Sequence, residues 1–110
     1  PAVSDSVRLR IPDAVVDGRR VRGQVIYVDH FGNLVTNVKP EALPGGAVTI
    51  RLGSAQMAGV ATSYAVVGVG QPVAVINSWG LLEIAVRDGS ARAKLGGGVG
   101  DEVLVEPIGS

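Results

Sequence analysis

Asp29, Phe31 and Asn33 alternate with His30 and Gly32 at the end of a strand-like run, Gly23-Gln24-Val25-Ile26-Tyr27-Val28. Each brings a different capability. A carboxylate at 29 can accept from a ligand ammonium. The flat face of Phe31 can stack on an aromatic ring. The Asn33 amide pairs a donor with an acceptor, which matches the amino and ring-nitrogen edge of adenine. Gly32, without a Cβ, lets the backbone turn sharply or approach a ligand closely. Phe31 and His30 are the chain's single Phe and single His. The same residues also suit a plain turn, with Asx side chains capping it and Phe31 in the core, so gripping a ligand and closing a turn both remain open here.

A second polar and aromatic cluster, Asn77-Ser78-Trp79-Gly80, separates two apolar runs. Ser78 can hydrogen-bond a carboxylate and Trp79 can wall a pocket, while the structural alternative is an ordinary hairpin turn. Nucleophilic catalysis finds little support. Asp29 and His30 are adjacent, so on a strand they point to opposite faces. Ser78 lacks the Gly-x-Ser-x-Gly elbow, and no second His is present to act as base. The glycines at 96, 97, 98 and 100 lack the Gly-Lys-Ser/Thr ending of a phosphate loop.

The bulk composition narrows the classes further. A length of 110 residues suits one domain. Ten basic and ten acidic residues cancel, so no basic stripe is available for nucleic acid. The densest basic cluster, Arg19, Arg20 and Arg22 beside Asp13 and Asp17, reads as a solvated loop. Without cysteine there is no disulfide scaffold or zinc-thiolate site, and a single His argues against a His-based metal centre. No apolar run approaches the ~20 residues of a membrane helix, and nothing resembles a signal peptide. A soluble cytoplasmic protein is expected. The chain starts at Pro1, which fits removal of an initiator Met or excision from a longer protein.

Positioning these residues requires many short strands. Sixteen glycines and abundant Val suit strands joined by tight turns. Val7–Ile11 and Val48–Leu52 alternate with period two. Asp17-Gly18 reads as a hairpin tip, Gly23–Asp29 and Leu34–Val38 as strands around the first motif, and Gln56–Ala61 as another strand. Pro40–Pro44 holds at most one helical turn. Pro72–Ile76 and Leu81–Val86 are apolar enough for central strands, and Glu102–Glu106 makes the last. Gly89–Leu95 predicts one short helix, stopped by Gly96. The expected fold is all-β, an antiparallel β-barrel-like or sandwich domain of about seven to nine short strands with one short helix.

With both clusters placed, a family resemblance emerges. Gly23-x-Val25-x-Tyr27-x-Asp29-x-Phe31-Gly32-Asn33-x-x-Thr36-Asn37, followed by Ile76-Asn77-Ser78-x-Gly80-x-Leu82-Glu83-Ile84-Ala85-Val86, resembles the C-terminal domain of the S-adenosylmethionine hydroxide adenosyltransferases. These are adenosine-forming S-adenosylmethionine hydrolases, related to the fluorinase and chlorinase enzymes. Gly89-Ser90-Ala91 and Leu95-Gly96 through Gly100-Asp101-x-Val103 follow in the same order.

The resemblance implies a single β-barrel-like domain over residues 1–110, normally preceded by an N-terminal α/β domain that is absent here. It implies a homotrimer that binds S-adenosylmethionine, as substrate and with no separate cofactor, where the N-terminal domain of one subunit meets the C-terminal domain of the next. Asp29 then matches the residue holding the methionine ammonium, and Phe31 and Asn33 match adenine contacts. Tyr64 matches an aromatic lying on the adenine. Asn77 belongs to the same substrate-binding turn, Ser78 and Trp79 match positions contacting the methionine carboxylate, and Val86 to Asp88 match a segment along the adenine edge. The family's catalytic Asp, Arg and His belong to the missing domain, so His30 is not that His, and the isolated chain is expected to be inactive. Two departures stand out. Trp79 and Val86 replace arginines of the fluorinase-like members, which favours hydrolysis over halogenation. The stretch Tyr64–Gly70 lacks an acidic residue common there, which predicts a different local loop. The rival readings are a structural or oligomerisation barrel and a small-molecule binding module without catalysis.

Overall fold

Val21, Gly23 and Val25 alternate with Arg22 and Gln24, and this period-two pattern produces the longest strand, β2 (Arg20–Val28), with the first set buried. The computed structural model describes residues 12–108, so the Val7–Ile11 strand expected from the sequence lies outside the described residues. Around β2 stand β1 (Val15–Asp17), β3 (Leu34–Thr36), β4 (Val48–Leu52), β5 (Ala55–Ala58), β6 (Pro72–Ile76), β7 (Leu82–Val86) and β8 (Glu102–Pro107). All strand pairs are antiparallel, in the order β5-β4-β8-β2-β3-β7-β6, with β1 added on β2. Ala61, just past β5, makes an isolated parallel bridge to Val75 of β6, which brings the two ends of the sheet together into a nearly closed barrel. No helix among the described residues is long and apolar enough to cross a membrane.

β2 turns the corner of this barrel. Its first half pairs with β8 from Val21 to Gln24, its second half pairs with β3, and the register shifts between Val25 and Tyr27. Such an irregularity sharpens the local bend. Close approach at the corner needs Gly23: a Cβ there would stand 2.5 Å from Val38 Cγ2 and 2.6 Å from Asn37 Oδ1. Asn37 also ends β3 earlier than the expected Val38, because its side chain takes over the ladder. Its Oδ1 accepts from Gln24 N at 2.9 Å and its Nδ2 donates to Pro12 O at 2.7 Å.

The inner face packs Val21, Val25, Leu34, Ile50, Leu82, Ile84, Val103 and Val105, all essentially sealed from solvent. Burial of each is worth about 1.5–3 kcal/mol relative to exposure. β7 is buried along its whole length, since a second small cluster of Val73, Val75 and Ala85 on the outer face is covered by Ala61 and Val67. Double-sided burial explains why β6 and β7 read as apolar runs instead of alternating ones.

Arg20 and Arg22 belong to β2, not to a solvated loop. Cross-strand pairing sets them opposite β8, where Arg20 meets Glu106 at 3.2 Å and Arg22 meets Glu102 at 3.1 Å. Arg19 occupies the β1–β2 turn and donates to Gly45 O. Asp17 pairs with Arg20, so the hairpin tip is Gly18-Arg19, one residue beyond the expected position. The one α-helix among the described residues, α1 (Ala91–Leu95), is capped by Ser90 Oγ, which accepts from Ala93 N, and stops at Gly96 with φ 73°.

Candidate functional site

At the end of β2 the chain closes on itself around Asp29. Asp29 Oδ1 accepts from Phe31 N at 2.8 Å and from Asn33 N at 2.9 Å, while Oδ2 accepts from Asn33 Nδ2 at 3.0 Å. The backbone reinforces the turn through Asp29 N to Asn33 O and Gly32 N to Asp29 O. Asp29 therefore shapes the turn, and its four or so lone-pair sites leave room for one more donor. Asn33 keeps its carbonyl oxygen and one N–H free of that bond. Phe31 is lifted out of the core at 74% exposure, with the His30 ring edge-on 5.3 Å away. Gly32 supplies the positive φ of 82°, and a Cβ there would collide with the Ser90 side chain.

The β6–β7 turn is built around Asn77. Its Oδ1 accepts from Trp79 N at 2.9 Å and Leu81 N at 3.0 Å, which fixes the amide so that Nδ2 points to Glu83 Oε1 at 3.2 Å. Ser78 stands exposed at the tip. Trp79 is set apart from Ser78: it is 67% exposed and tilts against Tyr27, ring centroids 6.1 Å apart.

A third segment arrives from between β5 and β6. Ser63 Oγ accepts from Ala65 N and starts a single 3-10 turn, Tyr64–Val66. Two side chains of β7 and its exit hold this turn. Arg87 Nη1 donates to Val67 O at 2.7 Å, and the Tyr64 hydroxyl donates to Glu83 Oε2 at 2.9 Å. Burial, the hydrogen bond to Glu83 and the negative charges of Glu83 and Asp29 push the Tyr64 phenol up to about 12, although the residue remains 43% exposed. Beyond Arg87 the chain passes through Asp88 in the left-handed region, φ 57°, a conformation Asp tolerates better than most residues but at some strain.

These segments enclose an open concavity of ≈ 940 Å³. Eight of the nine residues expected from the sequence line it: Asp29, Phe31, Asn33, Tyr64, Asn77, Ser78, Val86 and Asp88. Trp79 does not. Glu83 and Arg87 also line it; Arg87 lies within the expected segment Val86 to Asp88, whereas Glu83 had no role assigned from the sequence. Glu83 had one available signal, a lone charge inside the apolar run Leu81–Val86. Among the described residues, three carboxylates border the space, and the one cation, Arg87, is engaged with backbone carbonyls, so the concavity favours a cationic, flat-ringed ligand. A second hollow of ≈ 530 Å³ is walled by Arg20, Arg51 and Glu106, with the single carboxylate of Glu106 held between the two guanidiniums.

The chain is similar to several known proteins. The (R)-S-adenosyl-L-methionine hydrolase of Thermus thermophilus is 38% identical over 96 residues, an alignment covering 87% of this chain and 35% of that protein. The chain thus spans about a third of the length of that relative. Among solved structures, an uncharacterized conserved protein from Thermotoga maritima superposes with a TM-score of 0.73 at 32% identity, covering 87% of this chain and 39% of the other. A conserved hypothetical protein from Thermus thermophilus gives 0.68 at 36% identity, covering 88% and 39%. Residues 23–104, from the corner of β2 to the middle of β8 and so through every wall of the concavity, match the SAM hydroxide adenosyltransferase C-terminal domain, and the chain belongs to that family.

Proposed function

We propose that this chain is the S-adenosylmethionine-binding C-terminal domain of a hydrolase that converts S-adenosylmethionine and water to adenosine and methionine. One observation carries the reading: residues from four separate stretches of the chain line a single acidic concavity with two aromatic faces. Phe31 and Tyr64 offer those faces to adenine, and the free amide oxygen and N–H of Asn33 suit its amino and ring-nitrogen edge. Ser78 suits the methionine carboxylate, and the remaining capacity of Asp29 suits the ammonium. The carboxylates favour a sulfonium, which carries a positive charge that the thioether product lacks.

In the reaction, water or hydroxide attacks ribose C5′ while the C5′–sulfur bond breaks. The electron pair stays on sulfur, methionine leaves as a neutral thioether, and the attacking oxygen, where it starts as water, gives up one proton to a base outside this chain. Within that scheme the domain orients the substrate and leaves proton transfer to an N-terminal α/β domain of a neighbouring subunit in a cytoplasmic homotrimer. The isolated chain is then catalytically silent and binds weakly.

Chromatography of S-adenosylmethionine incubated with the full-length protein should yield adenosine and methionine in equal amounts; no adenosine would refute the reading. Calorimetry on the 110-residue chain should give weak or undetectable heats with S-adenosylmethionine and adenosine. The rival reading, a structural barrel, is favoured by one observation: Asp29 and Asn77 each cap their own turn.

A further inference from the structure

Glu83 is out of place by its surroundings. On the outer face of β7 it pairs across the sheet with Val35 on one side and Val75 on the other, both nearly sealed, and it is itself only 6% exposed. An apolar side chain at this position would avoid the desolvation that a carboxylate incurs. Retaining a charge there calls for a task, and its two partners suggest one. Oε2 receives the Tyr64 hydroxyl and Oε1 receives the Asn77 amide. Asn77 cannot satisfy its own turn with Nδ2 instead, because Trp79 N and Leu81 N both require the carbonyl oxygen. One buried carboxylate therefore ties together two walls of the concavity that come from unconnected parts of the chain.

We propose that Glu83 is a positioning residue for the ligand site, fixing the Tyr64 ring and the Asn77–Ser78 turn relative to each other so that the ring and the serine hydroxyl engage one ligand at once. The proposal rests on the S-adenosylmethionine reading for the identity of that ligand, but not for the coupling itself. The elevated Tyr64 phenol is consistent with it, since the negative charge of Glu83 contributes to that elevation. Geometry alone already demands the link. The 3-10 turn bearing Tyr64 has no buried residue of its own, so the phenol–carboxylate bond and Arg87 are what anchor it to β7.

Two arms test this. In the 110-residue chain, which has two tyrosines, Tyr27→Phe leaves Tyr64 as the one phenol seen at 295 nm. Glu83→Gln should then lower its midpoint from about 12 toward the ordinary 10.0; an unmoved midpoint overturns the coupling. In the full-length protein, Glu83→Gln and Tyr64→Phe should each raise KM for S-adenosylmethionine about tenfold with kcat changed less than about twofold, and the double variant should do no worse than either single one. Additive effects overturn the proposal. Glu83→Leu supplies the control for folding, because it fits an apolar row: its unfolding temperature should equal or exceed that of the native protein while KM rises as for Glu83→Gln. A Leu variant with unchanged KM overturns the proposal. Should the native protein fail to hydrolyse S-adenosylmethionine, the functional reading fails, and the titration arm still decides whether Glu83 governs Tyr64.

Discussion

The amide of Arg92 donates to the carbonyl of Gly32 at 2.9 Å, which fastens the first turn of α1 to the turn that presents Phe31 and Asn33. Ser90, the N-cap of that helix, fills the space where a Gly32 side chain would be. The two segments lie far apart in sequence, yet neither can shift without the other. Gly32→Ala therefore meets both an unfavourable φ and a collision. Urea unfolding should show a loss of about 2 kcal/mol or more, against about 1 kcal/mol for a glycine whose only difficulty is its φ.

Asp88 offers the opposite case. Its φ of 57° is strained, and its carboxylate makes no hydrogen bond or ion pair among the described residues. Asp88→Gly should leave stability unchanged or raise it by about 1 kcal/mol by urea unfolding. If Asp88 serves the ligand, the same change should weaken S-adenosylmethionine binding by the full-length protein, measured by calorimetry.

Asn33→Ala and Ser78→Ala separate ligand gripping from turn making. Ser78 is exposed and its side chain makes no hydrogen bond among the described residues, so Ser78→Ala should alter stability by less than about 0.5 kcal/mol. Its KM for S-adenosylmethionine should nevertheless rise severalfold in the full-length protein. Asn33→Ala also loses the bond to Asp29, so it should lower both stability, by about 1 kcal/mol, and affinity. Unchanged affinity in both variants would favour the structural-barrel reading.

The raised Tyr64 phenol predicts a pH dependence at the alkaline end. Its folded value, about 12, exceeds the ordinary 10.0, so the folded state retains this proton longer than the unfolded state. The associated stability is fully present below pH 10 and declines as pH rises toward 12. Urea midpoints across this window should fall more steeply for the native chain than for Tyr64→Phe.

Much of the site could be read from sequence because its residues advertise themselves. Asp29, Asn33 and Asn77 are polar side chains at the ends of apolar strands, and such positions must either cap a turn or face a ligand; Asp29 and Asn77 cap, and still line the concavity. Strand placement was legible wherever alternation was clean, as in Val48–Leu52. Legibility failed where a distant partner decides the outcome. Arg20 and Arg22 look like a loop until Glu106 and Glu102 of β8 stand opposite them. Glu83 looks like an interruption of an apolar strand until Tyr64 and Asn77 arrive from elsewhere. Trp79, a pocket wall by its neighbours in sequence, turns instead to Tyr27.

The outer cluster of Val73, Val75 and Ala85, with Ala61 and Val67 laid over it, is small beside the interior of the barrel. Two unequal clusters imply two unequal clocks. The flap from Ala61 to Gly70 can lift away at a fraction of the free energy needed to open the barrel, carrying Tyr64 with it. In hydrogen exchange, the amide of Val67, bonded to Tyr64 O, should exchange well before that of Val25, a buried residue of β2 bonded to Asp101 O. A bound ligand resting on Tyr64 would slow the first clock and leave the second untouched.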